Sequence, residues 1–111
     1  MTYRAFDVVV VPFPFTDRRT QKRRPALILS KNEEFNEKCG HYILAMITSQ
    51  KNPSWPLDIP IMDANKAGLT TASKVRMKLF TLDMRLIIKK VGALASKDQK
   101  AVSKNLRNLL V

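Results

Sequence analysis

The sequence predicts a small, mostly-β domain: a barrel or rolled sheet with short helical insertions and one substantial α-helix at the C-terminal end. Three stretches carry that expectation. Val8 to Val11 are four consecutive valines, and a β-branched run of that kind reads as a strand buried on both faces. Lys74 to Phe80 alternates cleanly, with Val75, Met77 and Leu79 on one face and Lys74, Arg76 and Lys78 on the other. Ser96-Lys97-Asp98-Gln99 has the form of a capping box. Beyond it Val102, Leu106, Leu109 and Leu110 recur at helical spacing. The 111 residues fit one domain, 1–111, large enough to bury a core.

In chain order, the first strand is expected from Asp7 to Val11, and Pro12-Phe13-Pro14-Phe15 ends it. Thr16 to Arg23 reads as an exposed, glycine-free loop carrying Arg18, Arg19, Lys22 and Arg23. A second strand follows over Ala26 to Ser30. Pro25 is expected at its first position, where no ladder N–H is needed, with Arg24 at its mouth in an extended backbone. A short helical turn is expected around Phe35, and a third strand over His41 to Ile47 ending in Thr48-Ser49-Gln50. Lys51 to Pro56 is a Pro-broken loop with the sole tryptophan, Trp55. Leu57 to Ile61 reads as a short strand that Pro60 places at an edge. Met62 to Ala72 is a connector, Leu86 to Val91 a strand ended by Gly92, and Lys97 to about Leu110 the last helix, with Ser96 as its N-cap.

Charge narrows the partners. Twenty Lys+Arg against nine Asp+Glu give a net charge of +11, a field that attracts polyanions. The longest apolar run, Val8 to Phe15, is short and proline-broken, and no signal-peptide cleavage pattern follows it. With a single cysteine, Cys39, the fold must stand on its core. The expectation is a soluble, cytoplasmic chain with no membrane partner. One His and scattered acids give no metal-ligand spacing, and no glycine-rich phosphate loop is present, so no metal or cofactor is expected. Arginine and hydroxyl chemistry remain. Lys22-Arg23-Arg24 ahead of an apolar run is a way to aim a cation, and equally what a solvated charged flank looks like. Thr48-Ser49-Gln50 taken alone is equally an ordinary turn.

Four segments add to this reading: Asp7-Val-Val-Val-Val-Pro-Phe-Pro-Phe-Thr-Asp17, Lys22-Arg-Arg-Pro-Ala-Leu-Ile-Leu-Ser30, Ile47-Thr-Ser49 and Lys78-Leu-Phe-Thr-Leu-Asp83. In this order and at these separations the chain resembles the PemK/MazF family of bacterial toxin endoribonucleases, from about Phe6 to the final helix. The resemblance implies an SH3-like barrel, a homodimer, metal-independent cleavage of single-stranded RNA and neutralisation by a cognate antitoxin, expected to be acidic. It makes Arg24 and Thr48 the catalytic pair. The expected RNA contacts are Phe15, Arg18, Arg19, Lys22, Arg23, Ser49, Gln50, Arg76 and Lys78; the same field suits DNA. Members often begin the first strand with Gly-Asp where this chain has Phe6-Asp7, and others carry Gly in the loop before the arginine. The rival readings are a non-catalytic, basic SH3-like nucleic-acid-binding module and a plain protein-interaction domain.

Overall fold

A run of β-branched and apolar residues with few turn formers makes the strand over residues 41–49 the longest buried stretch, and it carries the middle of the sheet. The computed structural model describes residues 2–13 and 22–111, without the Phe13 side chain. The elements are β1 (Asp7–Phe13), β2 (Lys22–Ile28), α1 (Glu33–Cys39), β3 (His41–Ser49), β4 (Ile59–Pro60), β5 (Ser73–Asp83), a 3-10 turn (Met84–Leu86), β6 (Lys89–Ala93) and α2 (Ser96–Leu110). Among the described residues, six strands form one antiparallel sheet in the order β4-β5-β3-β2-β1-β6. Register shifts at Val8/Val9 and at Ala45/Met46 break the ladders, and such irregularities bend strands. The sheet accordingly curls into a half-barrel with two helices, as the fold class requires.

Alternation sorts the core by face. Val8, Leu27, Ala45, Ile47 and Val75 lie on one side, under Ile59, Ile61, Ala67 and Val102 of α2. Val9, Val11, Ala26, Ile28, Tyr42, Leu44 and Leu82 lie on the other, joined by Ile87 and by Tyr3, Phe80 and Met84. Tyr3 meets Tyr42 edge to face at 5.9 Å, and the Tyr42 hydroxyl accepts from the Tyr3 N–H at 3.0 Å.

Several boundaries differ from expectation. β2 begins at Lys22, because Lys22, Arg23 and Arg24 pair with Phe13, Pro12 and Val11. Pro25 therefore sits inside β2, opposite Val10, and not at its start. Pairing of β2 to β3 opens only at Ala26↔Met46. The last helix is capped by Ala95, with no side-chain cap bond; Ser96 is its first residue, and Gln99 Nε2 donates to the Leu94 carbonyl instead of closing a box. The expected apolar stripe holds through Val102 and Leu106, but Leu109 and Leu110 are exposed because α2 runs past the core. Residues 84–86 form a 3-10 turn, and β6 starts only at Lys89 and runs through Gly92. Pro60 does mark an edge strand, of two residues. Around Phe35 the chain is helical for seven residues, with Asn32 Oδ1 accepting from the Phe35 N–H at 2.8 Å. Phe15, Arg18 and Arg19, and most of their loop, lie outside the described residues.

Two backbone features explain unusual residues. Phe6, in the place of the expected glycine, has φ of +72°, a left-handed conformation that costs a non-glycine residue roughly 1–2 kcal/mol. It is held there by Phe6 N–H to the Ile28 carbonyl at 2.7 Å and Leu94 N–H to the Phe6 carbonyl at 2.9 Å, with its ring against the first core. Gly92 lies where the connector crosses β6: a Cβ there would meet the Ala67 backbone and stand 2.6 Å from the Lys66 carbonyl oxygen. Backbone cannot step aside cheaply, and overpacking of this kind typically costs about 1–3 kcal/mol. Gly92→Ala is expected to lower the urea midpoint accordingly, with an unchanged slope; an unaltered midpoint means the connector is free to shift.

Candidate active site

Arg24 and Thr48 each lie two residues beyond Ala26↔Met46, the last pair of the β2–β3 ladder, and both line one pocket. β5 pairs with the other edge of β3, with Lys74 opposite Thr48 and Arg76 opposite Met46. A pocket of about 180 Å³ lies at this end of the sheet, floored by Met46 and Ile47 and walled by Arg24, Thr48, Trp55, Arg76 and Lys78. Arg24 and Lys78 are exposed, while Thr48 is half-buried. The pocket thus gathers three cations, one hydroxyl and one indole.

The loop over residues 50–58 is tied to β5 by charge. Asp58, its side chain only 8% exposed, receives Arg76 Nε at 3.2 Å and Nη2 at 3.0 Å, with Lys74 Nζ at 3.4 Å. Lys74 also donates to the Asn52 carbonyl and Arg76 to the Pro53 carbonyl, both at 2.6 Å. Burial pushes the Asp58 carboxyl up, but the Arg76 hydrogen bond, the Trp55 N–H, the Arg76 charge and the Lys74 contact outweigh it. The carboxyl is held below the usual carboxylate range. Arg76 also lies over the Trp55 ring, its guanidinium carbon 4.6 Å from the centroid. Asn52 Nδ2 donates to Thr48 Oγ1 at 2.5 Å. With its oxygen so engaged, the Thr48 hydroxyl has its own proton to offer outward.

Of the residues singled out in the sequence, Arg24, Thr48, Arg76 and Lys78 line this pocket. Lys22 shares the face of Arg24 two residues further out, and Arg23 is on the opposite face by strand alternation. Ser49 also faces away from Thr48, and its Oγ accepts from the Lys51 N–H at 3.2 Å within the turn. Gln50 is exposed just past the strand and donates to the Ser73 carbonyl at 3.0 Å. The basic stripe of β5 is less open than expected, because Lys74 is buried and both Lys74 and Arg76 are bound to Asp58. Asn52 and Asp58 were missed as parts of the site, while Lys74 entered only as a member of the basic stripe and Trp55 only through its loop. Their partners lie 3 to 22 residues away. His41 lies at the other end of β3 from Thr48, with Nδ1 2.6 Å from the Cys39 carbonyl. Among the described residues, no three of His, Cys, Asp and Glu come together as a metal set, and no helix is long and apolar enough to cross a membrane.

The family model described as PemK-like, MazF-like toxin of type II toxin-antitoxin system matches residues 4–110. No curated protein matches the sequence. Solved structures of similar fold include a MazE–MazF structure from Deinococcus radiodurans, 21% identical with a TM-score of 0.78, covering 99% of this chain and 97% of that one. An endoribonuclease in complex with its cognate antitoxin from a mycobacterial species is 14% identical, with a TM-score of 0.76 over 98% and 95% of the two chains. The Mycobacterium tuberculosis toxin MazF-mt6 is 21% identical, with a TM-score of 0.72 over 92% and 93%.

Proposed function

Because the chain belongs to the PemK-like, MazF-like family of type II toxins, we propose that it is an endoribonuclease that cleaves single-stranded RNA without a metal ion, Arg24 and Thr48 forming its catalytic pair. One observation supports the reading: Arg24 and Thr48, each two residues beyond the last β2–β3 pair, line the same pocket. In the reaction, the ribose 2′-oxygen attacks the adjacent phosphorus, the bond from phosphorus to the 5′-oxygen breaks, and that oxygen leaves as a hydroxyl. The products are a 2′,3′-cyclic phosphate and a 5′-hydroxyl. Negative charge builds on the phosphate oxygens, where Arg24 presents parallel N–H donors. Thr48 adds the hydroxyl donor that Asn52 leaves it. Arg24 stays protonated throughout, so its part is electrostatic.

In this reading the protein works as a cytoplasmic homodimer, and an acidic antitoxin restrains it. The mycobacterial relative, held with its cognate antitoxin, supports such a partner, as does the +11 charge of this chain. Purified protein with a single-stranded RNA and excess chelator tests the reaction. Cleavage to fragments ending in cyclic phosphate supports the enzyme; retention of intact RNA selects a non-catalytic basic binding module. Lys78, exposed and lining the same pocket, is taken in this reading as a phosphate contact. Lys78→Ala is expected to weaken binding of an uncleavable single strand about equally across sequences and to flatten the salt dependence by about 0.7 units of slope. An unchanged slope removes Lys78 from the interface.

A further inference from the structure

Trp55 is 45% exposed, an unusual position for the largest ring in the chain, and its main chain is tied down. The Trp55 main-chain N–H donates to Asp58 Oδ2 at 2.9 Å, and its carbonyl accepts from the Asp58 N–H at 3.2 Å. Arg76, itself fixed by Asp58 and the Pro53 carbonyl, covers the ring. Trp55 lines two cavities: the pocket of Arg24 and Thr48, and a cleft of about 370 Å³ bordered also by Gln50, Ser54, Asp58 and Lys74. Arg76 lines the first of them.

We propose that the second cleft is a nucleobase subsite in which one unpaired base of the RNA, next to the scissile phosphate, stacks on the Trp55 ring. This deepens the nuclease reading and rests on it. The Trp55 main chain and the Arg76 guanidinium over its ring are already fixed, so binding a base orders less of the protein. Stacking on an aromatic side chain contributes about 1–3 kcal/mol per base and needs only a π-face. The polar rim can add selection. Gln50 Nε2 is committed to the Ser73 carbonyl, which leaves the Gln50 amide oxygen as an acceptor, and Ser54 lines the same cleft. An acceptor at the rim favours a base that offers an exocyclic amine.

Trp55 is the sole tryptophan, so its emission reports the site directly. An uncleavable, all-deoxy single-stranded oligonucleotide is titrated into the full chain, with anisotropy reporting total binding. A companion series replaces one base at a time by an abasic residue. The expected result is saturable quenching of Trp55 and one abasic position that weakens binding roughly five- to hundredfold. In Trp55→Leu that position is expected to become indifferent, and Trp55→Phe to restore part of the difference. A Trp55 that merely anchors its loop predicts the same abasic profile in wild type and in Trp55→Leu, which overturns the subsite. Binding by anisotropy without quenching overturns the subsite and leaves the nuclease reading standing. No binding, together with no RNA cleavage, overturns both.

Discussion

Arg24→Ala is expected to slow single-turnover RNA cleavage by at least about 10²–10³-fold while the protein stays folded. The magnitude is that of one preorganised donor removed from a site where charge develops. The fold survives because the Arg24 side chain is exposed and its place in β2 is secured by main-chain pairing to Val11. Lysine is a poor substitute, since a point charge on a flexible stem does not match two phosphate oxygens as a planar fork does. Thr48→Ala costs less, about ten- to a hundredfold, because a neutral hydroxyl makes a weaker bond than a cation. Thr48→Ser keeps the hydroxyl and much of the rate. Saturating enzyme separates catalysis from tethering: if Arg24 only holds RNA, the Arg24→Ala plateau rate returns to that of wild type. Circular dichroism of the same samples checks the fold.

Asp58→Ala is expected to be the most destabilising change near the site. It strips the counter-charge from Lys74 and Arg76, whose side chains are only 6% and 11% exposed. Removing one member of a buried pair typically costs about 3–5 kcal/mol, because the remaining charge is stranded. At roughly 4 °C per kcal/mol for a chain of this length, Tm falls by more than about 10 °C. The pH dependence has a definite sign. The folded carboxyl lies below its ordinary value of 3.8, so its stabilisation is complete above that value and is lost as pH falls through the lower, folded one. Asp58→Asn removes that acid-side loss. Thermal melts of wild type and Asp58→Asn from about pH 5 downward are expected to converge; parallel curves mean the pair contributes no linkage.

The sequence made the local features legible and hid the long-range ones. The valine run, the β5 alternation and the proline of the edge strand each depend on neighbours close in the chain, and each produced its element. The helix start was misplaced by one residue because Ser96 and Ala95 both precede the same periodic pattern, and the Gln99 amide found the Leu94 carbonyl first. Arg24 and Thr48 came from motif resemblance, and the structure finds both lining one pocket just beyond the end of the β2–β3 ladder. The Asp58 clamp was invisible: its partners are 16 and 18 residues away, and six aspartates looked alike in the sequence. The same non-local bonds tie Arg76, an expected RNA contact, and its stripe neighbour Lys74 to the loop.

The outer edges of the sheet carry a consequence for how this chain meets others. β4 is two residues long and ends in Pro60, which lacks an N–H to share. β6 opens with two exposed lysines, and its pairing to β1 shifts register between Val8 and Val9. Short length, proline and lysine are the devices that discourage a foreign strand from joining a sheet. A chain with an open half-barrel is thereby kept from stacking into fibres through its rims. Under the proposed reading, an antitoxin segment gains little by extending the sheet at these edges and is expected to bind through side chains in the grooves.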